Sequence, residues 1–341
     1  MRVLFLTYPR VGLNWGGLQL QIEESATGLK DLGADVVRYD PWREQISRVD
    51  VCHVFSVDCS LVYHVQRAHA VGKPVVISPV FSAFRQPLAL TRVKVALAAR
   101  LPGVYSDLRR ARTMLQLAEK IVALNAEEMR LLAVAFGLAE HKFSVIPNGV
   151  SDTFRIADSR AFEERYGIRD FVLNVASFNE NKNQLALIRA MRGLPYPLVL
   201  IGDTGPEGRS YLQQCRRDAE GQNVIFVGGL AHADPLLASA YAAAKVFVLP
   251  SYSEVMPLTV GEAAACNCKL ILSEGVPDLG MSPLDISRFQ PSDVRRLRTL
   301  IEAAMRSPKD PTIRRDEGGF TSWRNVCGQL YSLYETVLSR E

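Results

Sequence analysis

The sequence predicts two doubly wound α/β domains in tandem. Short apolar runs alternate with segments of helical periodicity, the pattern of a parallel sheet with helices on both faces. The pattern lapses near 150–168 and starts again from Phe171. The length of 341 residues suits two domains better than one, and with 48% hydrophobic and 22% charged residues the chain can fill two cores.

In the first half, Val3–Tyr8 is a continuous apolar run of strand length, followed by a loop ending Trp15-Gly16-Gly17. Leu18–Leu32 then places apolar residues at helical spacing and stops at Gly33. Val36–Tyr39, Val51–Phe55 and Pro74–Ser78 are further strands, the last two separated by a helix around Ser60–Val71. Lys120–Leu124 and Phe143–Ile146 complete the set. Ser151–Asp170 is polar and poor in periodic apolar residues, and the junction is expected near 150–168. The second half is expected to run strand Phe171–Ala176, helix Asn183–Arg192, strand Leu198–Gly202, helix Arg209–Ala219 and strand Val224–Val227. Helix Pro235–Ala244, strand Val246–Leu249, helix Leu258–Cys266 and strand Leu270–Ser273 follow. The last helix, Ser322–Leu338, either caps the second domain or crosses back to the first. In such sheets ligands bind at the C-terminal ends of the strands, here expected in a shared cleft.

Composition excludes several function classes. A net charge of +4 is too small for a domain devoted to nucleic acid. No apolar run reaches the ~20 residues of a spanning helix, and Met1–Thr7 lacks a small-residue cleavage site, so a soluble cytoplasmic protein is expected. The six cysteines form no CxxC pair, and Cys266 and Cys268 are too close for a usual zinc pair. With the histidines scattered, no metal site is expected. Charge is nevertheless uneven. Arg85, Arg92, Lys94, Arg100, Arg109, Arg110 and Arg112 face a single acid, Asp107, with apolar residues interleaved. A basic amphipathic segment of this kind fits an anionic membrane surface, an insert with one solvated face, or a cationic acceptor-binding surface.

Generic catalytic motifs do not occur. There is no GxGxxG after the first strand, the Gly202–Arg209 loop has glycines without the GxxxxGK[ST] spacing, and neither GxSxG nor DxD occurs. The strongest constellation is Ser251–Ala264, directly after the apolar strand Val246–Leu249. Pro257 is placed to be the first residue of a helix, whose N-terminus would offer backbone donors to a diphosphate. Glu254 would stay in the loop and Glu262 would sit on the second turn. Two carboxylates flanking an anion site suit a ligand joining phosphate to hydroxyl-rich groups. A surface loop with a helix-capping glutamate has the same spacing.

That segment resembles the E-x7-E signature of retaining family 4 glycosyltransferases, which have the GT-B fold of two facing Rossmann-like domains. Gly16-Gly17 before an amphipathic helix is similar to the family's first glycine loop, and Val145–Val150 resembles its interdomain strand and turn. Val175–Asn183 resembles the phosphate-binding loop, Leu200–Asp203 and Val224–Gly228 match further strands, and Ser322-Trp323 resembles the closing segment. The resemblance implies domains at 1–155 and 156–321, with the helix at 322–341 packing back on the first.

The resemblance also implies roles. Glu254 contacts the donor sugar near the reacting carbon, and Lys182 binds the diphosphate and stabilises the leaving group. Glu262 binds the ribose, and the amides of Leu258 and Thr259 add to the diphosphate clamp with Gly16 or Gly17. Ser177 belongs to the donor loop, and the loop at Leu230 holds the base. Departures from the family pattern are Ser177 and Asn181, where many members have arginine, and Asn267 and Lys269, where glycine and proline often follow the second glutamate's helix. The histidine common after the fourth strand is missing from Ile77–Phe81, and His53 reads as a strand-end residue rather than its substitute. The implied activity is retaining, metal-independent, hexosyltransferase-type transfer from a nucleoside diphosphate sugar to a glycan or lipid-linked acceptor in bacterial envelope biosynthesis. No cofactor and no nucleic acid partner are expected, and 85–112 would give peripheral contact at the inner face of the membrane. A sugar-nucleotide epimerase or hydrolase, or a non-catalytic homologue serving as a binding subunit, are the alternatives.

Overall fold

The structure, a computed structural model, describes residues 1–13, 16–81, 92–95, 106–279, 286–309 and 320–339. The chain forms two units, Met1–Asn148 with Trp323–Glu341, and Gly149–Ser322. Among the described residues no helix is long and apolar enough to cross a membrane.

In the first unit, β1 (Arg2–Thr7), β2 (Asp35–Arg38), β3 (Val51–Phe55), β4 (Val75–Ser78), β5 (Lys120–Ala123) and β6 (Phe143–Val145) form a sheet in the order β2-β1-β3-β4-β5-β6. All pairings are parallel, so the strands are covered on both faces and read as unbroken apolar runs. The helices are α1 (Gly17–Asp31), α2 (Val62–Ala70), α3 (Asp107–Leu117) and α4 (Ala126–Phe136). Strand order reverses between β1 and β3, and the loop from β1 to α1 leaves the sheet at that switch point. The C-terminal helix, Trp323–Leu338, packs on α1 and buries Trp323, Val326, Cys327, Leu330, Leu333, Tyr334 and Val337, one helical face.

His53 is not at a strand end. It is the central residue of β3, fully buried, with Nδ1 at 2.5 Å from the Tyr334 hydroxyl and Nε2 at 2.8 Å from the Ser78 hydroxyl. Burial pushes its pKa down to about 3, so a neutral imidazole ties the sheet to the C-terminal helix. A second buried polar group joins two strand ends. Asn125 Oδ1 caps α4 by accepting from Glu128 N–H, and the Glu128 carboxylate accepts from Leu124 N–H at 2.7 Å and Phe81 N–H at 2.6 Å. Burial raises that carboxyl to about 7 against the pull of its two backbone donors.

The second unit opens with two short helices, α5 (Asp152–Arg155) and α6 (Arg160–Tyr166). The polar stretch expected to hold the junction carries these two helices, because Phe154 and Phe162 are fully buried and anchor one helix each. β7 (Val172–Val175), β8 (Leu198–Ile201), β9 (Val224–Gly228), β10 (Val246–Leu249), β11 (Lys269–Ser273) and β12 (Ile286–Phe289) form a sheet in the order β12-β11-β10-β7-β8-β9, again parallel. Alternate residues feed two cores. Phe171, Leu173, Val199, Ile201, Phe247 and Leu249 face α5, α6, α9 (Pro235–Ala243) and α10 (Leu258–Ala265). Val172, Leu198, Leu200, Val246 and Val248 face α7 (Gln184–Met191), α8 (Arg209–Asp218) and α11 (Val294–Arg306). Counted within the unit, the strand order is 3-2-1-4-5-6, with its switch point between β7 and β10.

Candidate active site

The loops leaving β7 and β10 lie at that switch point, and each carries a charged residue that sequence reasoning singled out. In the first loop, Asn179 Oδ1 accepts from Lys182 N–H at 3.1 Å and shapes the 3-10 turn Glu180–Lys182. Asn183 adopts a left-handed φ of 55° and donates from its amide to the carbonyls of Pro250 and Pro291, at 3.1 and 2.9 Å. Helix α7 starts only after it, so Lys182 closes a turn and does not open the helix.

The second loop is fastened to the first along its main chain. Tyr252 N–H donates to the Asn181 carbonyl at 2.8 Å, and the Asn181 side-chain amide donates to the Ser253 carbonyl at 2.9 Å and accepts from Ser253 N–H at 3.2 Å. Glu254 N–H donates to the Gly275 carbonyl at 2.9 Å. A Cβ on Gly275 would lie 2.3 Å from the Tyr252 carbonyl oxygen, so only glycine lets the chain after β11 pass this close. These contacts bring Lys182 Nζ to 2.6 Å from Glu254 Oε1, with the two side chains 22% and 10% exposed. Such a pair is screened less than a surface one.

Helix α10 begins at Leu258. Pro257 is its N-cap, with ψ of 118°, rather than its first residue as expected; a fixed φ near −70° fits both positions and the extended ψ decides. No side chain caps the helix, so its first turn, with Leu258 and Thr259, presents backbone donors and the positive dipole end. Glu262, on the second turn, points into the unit. Its Oε2 accepts from the Tyr241 hydroxyl at 2.7 Å, and its Oε1 lies 3.0 Å from His232 Nε2. The Glu262 side chain is 6% exposed, so whatever it binds must share it with these two groups. Burial, and then the Glu262 charge, raise the Tyr241 hydroxyl well above the ordinary tyrosine range, which keeps it a donor.

Sequence reasoning missed His232, Tyr241 and Gly275. Only His232 had a signal, as it lies in the loop after Leu230 that was already assigned to the donor. Leu230 itself is half-buried against the core beyond β9. Ser177 is exposed, and its hydroxyl accepts from the Asn179 amide at 3.1 Å. Behind this loop passes the end of β8, where Gly202 has a φ of 153° and a Cβ would lie 2.0 Å from the Ala176 carbonyl oxygen. In the first unit, Gly16 and Gly17 are exposed at the uncapped N-terminus of α1. Arg92 and Lys94 are exposed on a short helical segment, while Arg85 and Arg100 fall outside the described residues.

Two units, each with a six-stranded parallel sheet and helices on both faces, make this a GT-B fold. Residues 169–284, which include both loops and all of α10, match the family described as Glycosyl transferases group 1. The chain is 27% identical over 240 residues to D-inositol 3-phosphate glycosyltransferase of Geodermatophilus obscurus, 64% of this chain and 52% of that protein. It is 26% identical over 183 residues to O-antigen chain mannosyltransferase B of Escherichia coli, 49% of this chain and 46% of that protein. The chain thus spans about half the length of these two curated relatives. Among solved structures, the complex of Anabaena HepE with UDP superposes with a TM-score of 0.73 at 17% identity, covering 98% of this chain and 100% of that one.

Proposed function

We propose that the protein is a glycosyltransferase of family 4, moving a sugar from a nucleoside diphosphate sugar to an acceptor hydroxyl with retention at the anomeric carbon. The observation that carries the proposal is the Lys182–Glu254 pair at the switch point, beside the uncapped start of α10 and inside the glycosyltransferase match. Lys182 and the first-turn amides of α10 would hold the diphosphate. As the bond from the anomeric carbon to the leaving oxygen breaks, negative charge grows on that oxygen, and the same groups stabilise it. The acceptor oxygen forms the new bond on the same face, and its proton passes to the departing phosphate oxygen. Glu254 accepts from sugar hydroxyls and fixes the ring. Glu262 offers its remaining lone pairs to the ribose while Tyr241 and His232 hold it.

Lys182 supplies the positive charge at the leaving group, and the reaction is proposed to need no added metal. UDP is the first nucleotide to try, since HepE binds it. An envelope polysaccharide or glycolipid acceptor is supported by the similarity to an O-antigen mannosyltransferase. Exposed Arg92 and Lys94 fit an anionic acceptor or membrane surface. A thermal-shift screen of UDP-, GDP-, ADP- and dTDP-sugars selects the donor, and NMR of the product reports its anomeric configuration. Inversion refutes the retaining mechanism. Rapid epimerisation or hydrolysis of the donor without an acceptor refutes the transferase.

A further inference from the structure

Asn181 stands between two residues that the proposed function uses and has been given no part in it. It binds three main-chain groups of the loop after β10: its carbonyl takes Tyr252 N–H, and its amide takes both the N–H and the carbonyl of Ser253. An asparagine amide presents the same donor and acceptor pair as a peptide unit, so the contact acts as one rung of a ladder between two loops. Lys182 follows Asn181 and Glu254 follows Ser253, which puts the rung one residue from each member of the 2.6 Å pair. The neighbouring asparagines cannot replace it. Asn179 holds Lys182 within its own loop, and Asn183 reaches Pro250 and Pro291.

We propose that Asn181 is a positioning residue whose clamp on Ser253 sets the placement of Lys182 against Glu254. This deepens the proposed function and rests on its reading of those two side chains. The cation for the diphosphate and the carboxylate for the sugar then move as one body. Errors of about 1 Å in such placement cost on the order of 100-fold in rate. The position contributes geometry where an arginine would contribute charge.

The test is a mutant box. Unfolding constants of Lys182→Met, Glu254→Gln and the double variant give the coupling of the pair, measured once with Asn181 and once with Asn181→Ala. The coupling is expected to be about tenfold with Asn181 and below about threefold without it. A residue of purely structural value would lower stability and leave the coupling within twofold, and that result overturns the proposal. Asn181→Ser, too short to make both bonds, serves if the alanine variant does not fold. A second readout uses UDP-, GDP-, ADP- and dTDP-glucose, following release of the nucleoside diphosphate. With the sugar nucleotide that the wild type turns over, Asn181→Ala is expected to lose at least about tenfold in kcat with KM within about threefold. A loss confined to KM contradicts the clamp. If none of the four is bound or used, the functional reading fails, and the coupling still decides the role of Asn181.

Discussion

Replacing Tyr241 by phenylalanine removes one oxygen from a side chain that never meets solvent, and the structure sets what that oxygen is worth. The Tyr241 hydroxyl is fully buried and donates to Glu262 Oε2 at 2.7 Å. A hydrogen bond to a charged group contributes about 1.5–3 kcal/mol, and a buried acceptor left without its donor bears the desolvation cost in full. The phenylalanine ring fills the same space, so no cavity cost is added. Tyr241→Phe should therefore destabilise the second unit by about 2 kcal/mol. Urea unfolding followed by circular dichroism measures this. A cycle with Glu262→Leu should return a coupling of about 1.5 kcal/mol or more. A coupling below about 0.5 kcal/mol would mean that the pair is held by packing alone, and would refute the assignment of Glu262 as a carboxylate oriented from inside the unit.

Three further outcomes are expected. Gly275→Ala forces a Cβ against the Tyr252 and Ser251 carbonyls, so the Glu254 loop must shift; a stability loss of about 1–3 kcal/mol should come with weaker nucleotide binding by calorimetry, and unchanged binding would contradict the tie between this glycine and the site. Glu128 has its pKa raised from 4.5 to about 7, so the unfolded chain ionises first as pH rises. Its contribution to stability should fall by about 3 kcal/mol between pH 4.5 and 7. Wild type measured against Glu128→Gln over that range reports it, and a constant difference would refute the buried-acid assignment. His53 slopes the other way: with its pKa lowered from 6.5 to about 3, the unfolded chain takes up the proton first as pH falls, and stability is lost from pH 6.5 downward. His53→Gln should flatten that loss. Trp42 and Trp323 belong to the unit that holds His53 and Glu128, so tryptophan fluorescence follows both pH experiments.

The sheets were legible because parallel strands buried on both faces leave unbroken apolar runs, as at Val51–Phe55 and Val246–Leu249. Periodicity failed where one large side chain does the anchoring. Phe154 and Phe162 each hold a short helix inside an otherwise polar stretch. It also passed over β12, an edge strand in which Arg288 donates to the carbonyls of Ser273 and Pro277, both at 3.2 Å. Helix α11 carries the ordinary signal, with Leu297, Ile301 and Met305 at four-residue spacing, and is an element beyond those expected from the sequence. At the candidate site, spacing singles out Glu254 and Glu262, and the family resemblance adds Lys182. The groups that set them in place come from distant segments. Tyr241 looks like any tyrosine on an apolar helix, Gly275 like any turn glycine, and Asn181 like a missing arginine until Ser253 is seen against it.

The central claim is that Lys182 and Glu254 hold the diphosphate and the sugar of a nucleotide-sugar donor. Titration calorimetry with UDP-glucose, followed by the GDP-, ADP- and dTDP-sugars, against wild type, Lys182→Ala and Glu254→Ala tests it most directly. One of these donors should bind the wild type. Loss of a charge-assisted contact worth about 1.5–3 kcal/mol should weaken that binding at least about tenfold in Lys182→Ala. Glu254→Ala should weaken the sugar nucleotide but not the free nucleoside diphosphate. Binding that is equally tight in all three proteins, or to none of the four donors, would contradict the claim.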